Sequence, residues 1–90
     1  MNDYAIVIET GYKRTSANYH IELVGPLPRP EAEAQFGRLR TGHDERLPAE
    51  ADAVVVDASP TQFLRLRRVR GATVMDRVTL GPTVEVTGYR

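Results

Sequence analysis

The chain contains no cysteine, and this absence excludes several kinds of protein chemistry. Without thiols it can form no disulfide, no thiolate metal site, no iron–sulfur cluster and no cysteine nucleophile. Because small secreted domains commonly depend on disulfides, the composition predicts a cytoplasmic protein. No apolar run approaches the roughly 20 residues of a membrane-spanning helix, so we predict no membrane partner.

Tryptophan is also absent, and Lys13 is the single lysine beside eleven arginines. The 90 residues are 41% hydrophobic and 27% charged, which is typical of a globular chain. This length holds too little apolar material for a second core, so we predict one domain over residues 1–90. The sequence has no glycine-rich phosphate loop and no ligand cluster at metal-site spacing, so we predict no cofactor and no metal.

The charge of this neutral chain is divided between its two parts. Residues 1–58 carry ten acids and six bases, a balance of −4, whereas residues 59–90 carry two acids and six bases, a balance of +4. A clustered charge of one sign on a neutral protein indicates a local surface at which a partner docks. The densest positive stretch holds Arg65, Arg67, Arg68 and Arg70.

The beginning of the sequence predicts two strands. Residues 4–9 are apolar on both faces, as in an interior strand. Residues 18–24 alternate between apolar and polar side chains, which places Tyr19, Ile21 and Leu23 together on the buried face of a half-buried strand. We expect the two strands to form a hairpin across a polar turn.

A helix is predicted to begin at Pro30, because the first turn of a helix needs no backbone donor at that position. Ala32, Phe36 and Leu39 then fall at i, i+4 and i+7, which predicts one apolar stripe along the helix. The helix is expected to end at Thr41-Gly42, where a polar loop begins.

Residues 53–56 include three consecutive valines, which predicts a strand covered on both faces. With the preceding helix as a crossover, this strand would lie parallel to the strand at residues 18–24. A mixed sheet follows from that arrangement.

The segment from Ser59 to Gly71 carries signals for a helix and for a strand. Ser59-Pro60-Thr61-Gln62 matches a capping box with a proline start, and Gly71 suits a C-terminal cap. Strict alternation in Leu64-Arg65-Leu66-Arg67 is typical of a strand instead. We favour the helix, because its start and stop signals agree.

Residues 72–80 and 83–89 are rich in β-forming residues and are separated by Gly81-Pro82, which predicts a closing hairpin. The expected fold is a single small α/β (α+β) domain with a mixed sheet of about five strands. Two helices would cover that sheet, in the order β-β-α-β-α-β-β.

The arginine segment at residues 65–70 is the main candidate binding site. On a helix with its apolar stripe against the sheet, the guanidiniums would pair with carboxylates of a protein partner or of a second copy. The sequence therefore predicts a non-enzymatic interaction module, such as an adaptor, inhibitor or regulatory subunit, with a homodimer as one form. Exposed tyrosines add contact area at small entropy cost. The predicted partner-binding residues are Arg65, Arg67, Arg68, Arg70, Tyr12 and Tyr89.

Two other functions stay open on the sequence. The same arginines could neutralise the phosphates of a nucleic acid, although an isoelectric point of about 6.7 is low for that class. Asp57 ends a predicted strand and could activate the hydroxyl of Ser59 or Thr61 in a small enzyme. Spacing places no histidine to complete a triad, so we name no catalytic residue.

Two further sets of polar residues were weighed as ligand sites. His20 and Glu22 share one face of a predicted strand, and His43, Asp44 and Glu45 lie together in a polar loop. The first set has no third ligand at a fixed spacing, and adjacent residues in a loop point apart, so we interpret both sets as solvated side chains.

Overall fold

The computed structural model describes residues 3–12 and 19–84, which form one five-stranded antiparallel sheet and one helix. The strands lie side by side in the order β2-β1-β5-β4-β3. The architecture is therefore a small α+β domain, and no described helix is long and apolar enough to cross a membrane. In chain order the elements are β1 (Tyr4–Tyr12), β2 (His20–Leu27), α1 (Arg29–Arg40), β3 (Val54–Ser59), β4 (Gln62–Val69) and β5 (Ala72–Pro82).

The predicted hairpin of the first two strands is confirmed. β1 and β2 pair antiparallel, with Ile6 opposite Val24 and Ile8 opposite Glu22. β1 also pairs with β5 on its other side, so it is an interior strand as its apolar sequence predicts. This pairing joins the beginning of the chain to its last described strand.

The helix also agrees with its sequence pattern. α1 begins one residue before Pro30 and ends at the cap residue Thr41, whose amide donates to the Gly37 carbonyl. Its apolar stripe packs against one side of the sheet and forms the centre of the core. The buried helix residues are Ala32, Phe36 and Leu39.

The core lies between α1 and this side of the sheet. The rings of Phe36 and Phe63 meet edge to face with centroids 5.3 Å apart. Leu47 closes the core from the loop after α1 and is 2% exposed, although its polar neighbours hid it from sequence analysis. The strands contribute Ile6, Ile8, Val24, Phe63, Val78 and Leu80.

The predicted second helix is wrong, because this segment is strand β4, paired with β3 and β5. Its side chains alternate, with Phe63 on the helix side of the sheet and Leu64 on the other. The cap signal is used for a turn instead, since the Thr61 amide donates to the Ser59 hydroxyl at 3.2 Å. The hydroxyl of Ser59 can cap either a helix or a turn. Pairing with β5 makes the segment that follows a strand.

The predicted position of the valine strand is also wrong. Of the described strands, β3 pairs with β4 alone, and all six of its residues are exposed. α1 carries the chain from β2 at one edge to β3 at the opposite edge, so the two are not neighbours. Every described pairing is antiparallel, so the sheet is not mixed.

The predicted closing hairpin is replaced by the long strand β5, which continues through Gly81 and Pro82 and pairs with both β1 and β4. The expected second arm, residues 83–89, lies mostly outside the described residues. The last three described strands therefore form a meander, with β1 paired along the outer side of β5.

Candidate functional site

Strand β4 separates the four arginines that sequence analysis grouped together. Arg65 lies opposite Asp76 and Arg67 opposite Val74, which puts both on the helix side of the sheet. Arg68 lies on the other side, and Arg70 lies in the turn between β4 and β5. Successive side chains of a strand point to opposite sides of the sheet, so no single side presents all four arginines.

Asp76 holds the two arginines on the helix side. Its carboxylate is fully buried and accepts from Arg65 Nε at 3.0 Å and from Arg67 Nε at 2.8 Å. The Gly11 amide also donates to it, at 3.0 Å, from a bulge in β1. Arg65 Nη1 donates in addition to the Pro48 carbonyl. These bonds connect β1, β4, β5 and the loop before β3.

The charges of this cluster are matched within the chain. Burial raises the pKa of Asp76, but hydrogen bonds from Arg67, Gly11 and Arg65 together outweigh it and keep the pKa below its usual value. The Glu50 carboxylate adds a second partner, 3.7 Å from Arg67. Arg65 and Arg67 are therefore structural ion-pair partners in this fold.

The exposed part of the predicted binding segment is smaller than expected. Arg68 donates to the Gly71 carbonyl at 3.1 Å and is exposed, as is Arg70. Tyr12 ends β1 and is 53% exposed, whereas Tyr89 lies outside the described residues. The structure brings Tyr12 and Arg68 to the same side of the sheet.

Asp57 does not lie against a hydroxyl nucleophile. Its carboxylate accepts from Arg40 Nε at 2.8 Å and from Arg40 Nη2 at 2.6 Å, at the exposed edge of the sheet. The hydrogen bond from Arg40 lowers the pKa of Asp57. Ser59 instead contacts Thr61, with 3.4 Å between their hydroxyl oxygens. This arrangement is a surface ion pair beside a tight turn.

The other polar sets are also used locally. Asp44 accepts from the backbone and side chain of Arg46, and these bonds lower the pKa of Asp44 to about 2. His20 and Glu22 are both exposed on β2. Within residues 3–12 and 19–84, no group of three histidine or acidic side chains could hold a metal ion.

The side of the sheet opposite α1 is the larger feature, and we call it the open face. Sequence analysis placed Ile21 and Leu23 in the core, but they are 58% and 64% exposed. The alternation was correct and the side was wrong, because α1 covers the face that carries Val24. All five strands contribute apolar side chains to the open face, namely Val7, Ile21, Leu23, Val54, Val56, Leu64, Leu66 and Met75.

A charged pair lies in the middle of the open face, where Arg77 of the central strand β5 lies opposite Glu9 of β1 and Leu64 of β4. Arg77 donates to Glu9 from Nε at 2.7 Å and from Nη2 at 2.8 Å, and Tyr19 donates to the same carboxylate. The bond from Arg77 lowers the pKa of Glu9, while the bond to Glu9 raises the pKa of Tyr19. Since these charges cancel, they do not make this part of the face acidic or basic.

A shallow cavity of about 300 Å³ lies over this pair. The rings of Tyr12 and Tyr19 meet edge to face there, with centroids 5.8 Å apart, and Met75 contributes an apolar wall. Aromatic and methionine side chains around a satisfied ion pair suit contact with another surface rather than proton transfer.

Comparison with protein families, with curated proteins and with solved structures finds no match to this chain.

Proposed function

We propose that this protein is a non-enzymatic interaction module that binds a protein partner on the open face. The observation that carries the proposal is a five-stranded sheet with its helix on one side and exposed apolar side chains on the other. Single exposed apolar residues are ordinary on protein surfaces, but contiguous apolar patches mark interaction sites.

The size and charge of the open face support this function. Five strands at about 4.8 Å spacing, each about 20 Å long, give a projected area of roughly 500 Å². Each partner contributes roughly 800 Å² to a standard interface, so the projected area of the open face is more than half of that contribution. The Glu9–Arg77 pair is satisfied within the chain, so burial under a partner would not leave either charge unpaired.

The rim of the open face carries polar and aromatic groups. Tyr12 and Tyr19 lie at the end of the strands next to Met75, and Arg68 of β4 lies at the same end, opposite Thr73 and beside Leu66. Apolar side chains on either side of a satisfied ion pair, with tyrosine and arginine at the border, match the residue types that are enriched in protein–protein interfaces. If a partner binds the open face, Tyr12 and Arg68 remain predicted contact residues. Arg65 and Arg67 instead stabilise the fold through their bonds to Asp76.

Site-specific photo-crosslinking tests the proposal. A benzophenone amino acid would replace Leu23 or Leu64 on the open face, and Glu33 on the exposed side of α1 as the matched control. In cells that make the protein naturally, we expect an adduct of one defined mass from both face positions and none from the helix position.

The Leu66→Glu variant completes the test, because a carboxylate between Val54 and Met75 on the open face would have to be desolvated under a partner. It should abolish the adduct at Leu23 while the circular dichroism spectrum stays native. Equal labelling at Glu33 and Leu23, or adducts that survive Leu66→Glu in the folded protein, would contradict docking on this face.

A further inference from the structure

We propose that two copies of this chain pair through the edge strand β3, antiparallel and about a two-fold axis at Val55, so that two sheets become one of ten strands. The proposed function concerns the open face, whereas this inference concerns the sheet edge. Either can therefore fail without the other.

The two edges of the sheet differ in their protection. β2 contains Pro26, which has no amide hydrogen, and its ladder with β1 is interrupted between Val24 and Leu27. Prolines and bulges are the usual means by which an edge strand avoids pairing with another chain. β3 begins with three valines and has neither feature within them, its one irregularity coming after Asp57.

The backbone of β3 is available for a second ladder. Among the described strands it pairs with β4 only, which satisfies the amides and carbonyls on one side. Val54, Val55 and Val56 are 58%, 41% and 43% exposed, so a strand laid alongside would bury valine on both faces of the sheet. An exposed, apolar and unprotected edge is a template for strand addition.

The sequence of β3 is complementary to a second, antiparallel copy of β3, which makes another copy of this chain the partner at this edge. Residues 52–58 read Asp-Ala-Val-Val-Val-Asp-Ala. With Val55 on the axis, Val55 faces its own copy and Val54 faces Val56 of the second copy. In the same register Ala53, directly before β3, faces Asp57 of the second copy, so this acid meets an alanine and no two acids of the strand meet.

Neighbouring registers lack this match. A one-residue slip in register would put side chains from opposite sides of the sheet across from each other. The register can therefore shift only by two residues at a time, which moves the two-fold axis from one residue to the next. An axis at Val56 would place Val55 opposite Asp57, and an axis at Asp57 would place two carboxylates face to face, which is unfavourable. An axis at Val54 would leave Val56 opposite Asp52, which lies in the turn before β3 and outside the strand. The Val55 register alone gives three valine pairs.

Pairing in this register would also extend the open face. Val54 and Val56 lie on that face, next to Leu66 and Leu64 of β4. The apolar side chains of the two copies would then run continuously across the junction. Because an edge contact buries less than a standard interface, we expect a reversible dimer whose population rises with protein concentration.

Charge substitution at the axis gives a specific test by sedimentation velocity. Val55→Lys and Val55→Glu should each raise the dimer dissociation constant by at least about tenfold, because like charges meet at the axis. An equimolar mixture should restore a heterodimer, since opposite charges then meet. Val55→Thr keeps the β-branched shape and is the control that should remain dimeric.

Cysteine substitution tests the register, and the absence of native cysteines makes each probe unique. Val55→Cys should oxidise to a covalent dimer, because directly opposed Cα atoms are about 4.5–5.5 Å apart. Val54→Cys alone and Val56→Cys alone should not, since each cysteine lies diagonally from its copy at about 7–8 Å. A mixture of these two variants should cross-link as a heterodimer.

A monomer at all concentrations up to about 1 mM would overturn the inference and leave docking on the open face intact. A dimer that survives Val55→Lys and is lost in Leu66→Glu would also overturn it, and would assign self-association to the open face. Loss of the dimer in Val55→Lys with crosslinks at Leu23 unchanged would confirm both proposals separately.

Discussion

At the scale of single residues, Asp76 decides the role of the arginine segment. It is the buried carboxylate to which Arg65 and Arg67 donate, and it also accepts from the Gly11 amide. A buried ion pair contributes little beyond its desolvation cost, but removal of one partner leaves an uncompensated charge. Here removal of Asp76 would leave two guanidiniums and one amide without their acceptor.

We therefore expect Asp76→Asn to lower the free energy of unfolding by about 3 kcal/mol. Urea denaturation followed by circular dichroism measures this loss. Asp57→Asn is the matched control, because the Arg40–Asp57 pair is half-exposed and its loss should not move the midpoint detectably. Equal effects of the two substitutions would contradict the structural role of Asp76.

The same residue predicts a pH dependence. The folded pKa of Asp76 lies below its ordinary value, so at acid pH the unfolded chain binds the extra proton. The stabilisation is complete above the unfolded pKa of about 3.9 and is lost as the pH falls through the folded pKa. The urea midpoint of the wild type should fall below about pH 4, and that of Asp76→Asn should fall less.

Asp44 has a lowered pKa as well, so its protonation in acid lowers the free energy of unfolding of both the wild type and Asp76→Asn. The difference between wild type and Asp76→Asn removes this shared contribution. Parallel acid profiles for the two proteins would show that Asp76 does not contribute to the acid sensitivity.

At the scale of elements, the turn between β4 and β5 is the strained part of the meander. Arg70 and Gly71 have φ angles of 52° and 82°, and Val69 pairs with Ala72 on either side of them. Two positive φ values in a two-residue hairpin loop are typical of a type I′ turn, which favours asparagine or glycine at the first position. Arginine in the left-handed region costs about 1 kcal/mol.

Arg70→Asn should accordingly stabilise the protein by about 0.5–1 kcal/mol, visible as a higher urea midpoint. Arg70→Lys is the control for charge, since it keeps the positive charge and the unfavourable φ, and it should match the wild type. A gain in Arg70→Lys as large as that in Arg70→Asn would show that turn conformation is not the cause.

At the scale of the whole molecule, the sheet has two sides and the described helix covers one of them. Exposed apolar residues on the open face therefore contribute little to folding, whereas their counterparts on the other side form the core. Ile8 on the covered side is 2% exposed, and Ile21 on the open face is 58% exposed, although both belong to the same hairpin.

The double variant Ile21→Thr, Leu23→Thr should leave the thermal midpoint within about 3 °C of the wild type, because surface substitutions change stability little. It should also reduce the fluorescence of a bound hydrophobic dye, whose site is the open face. Ile8→Thr on the covered side should instead cost about 2 kcal/mol. A large loss of stability in the double variant would show that the open face is covered in the monomer.

Local patterns in the sequence determined the elements whose structure depends on near neighbours. The stripe of Ala32, Phe36 and Leu39 predicted α1, and the alternation of residues 18–24 predicted the second arm of a hairpin with β1. The absence of cysteine excluded thiol chemistry without any structure. The helix stripe and the strand alternation recur every few residues, so they can be recognised in the sequence itself.

The tertiary structure alone decided which side of the sheet is covered and what the arginines do. Ser59 to Gly71 suits a helix or a strand, and pairing with β5 selects the strand. Both sides of the sheet carry apolar residues, so alternation cannot show which side receives α1. Asp76 meets the amide of Gly11 across 65 residues of sequence, and a contact at that separation leaves no periodic signal along the chain.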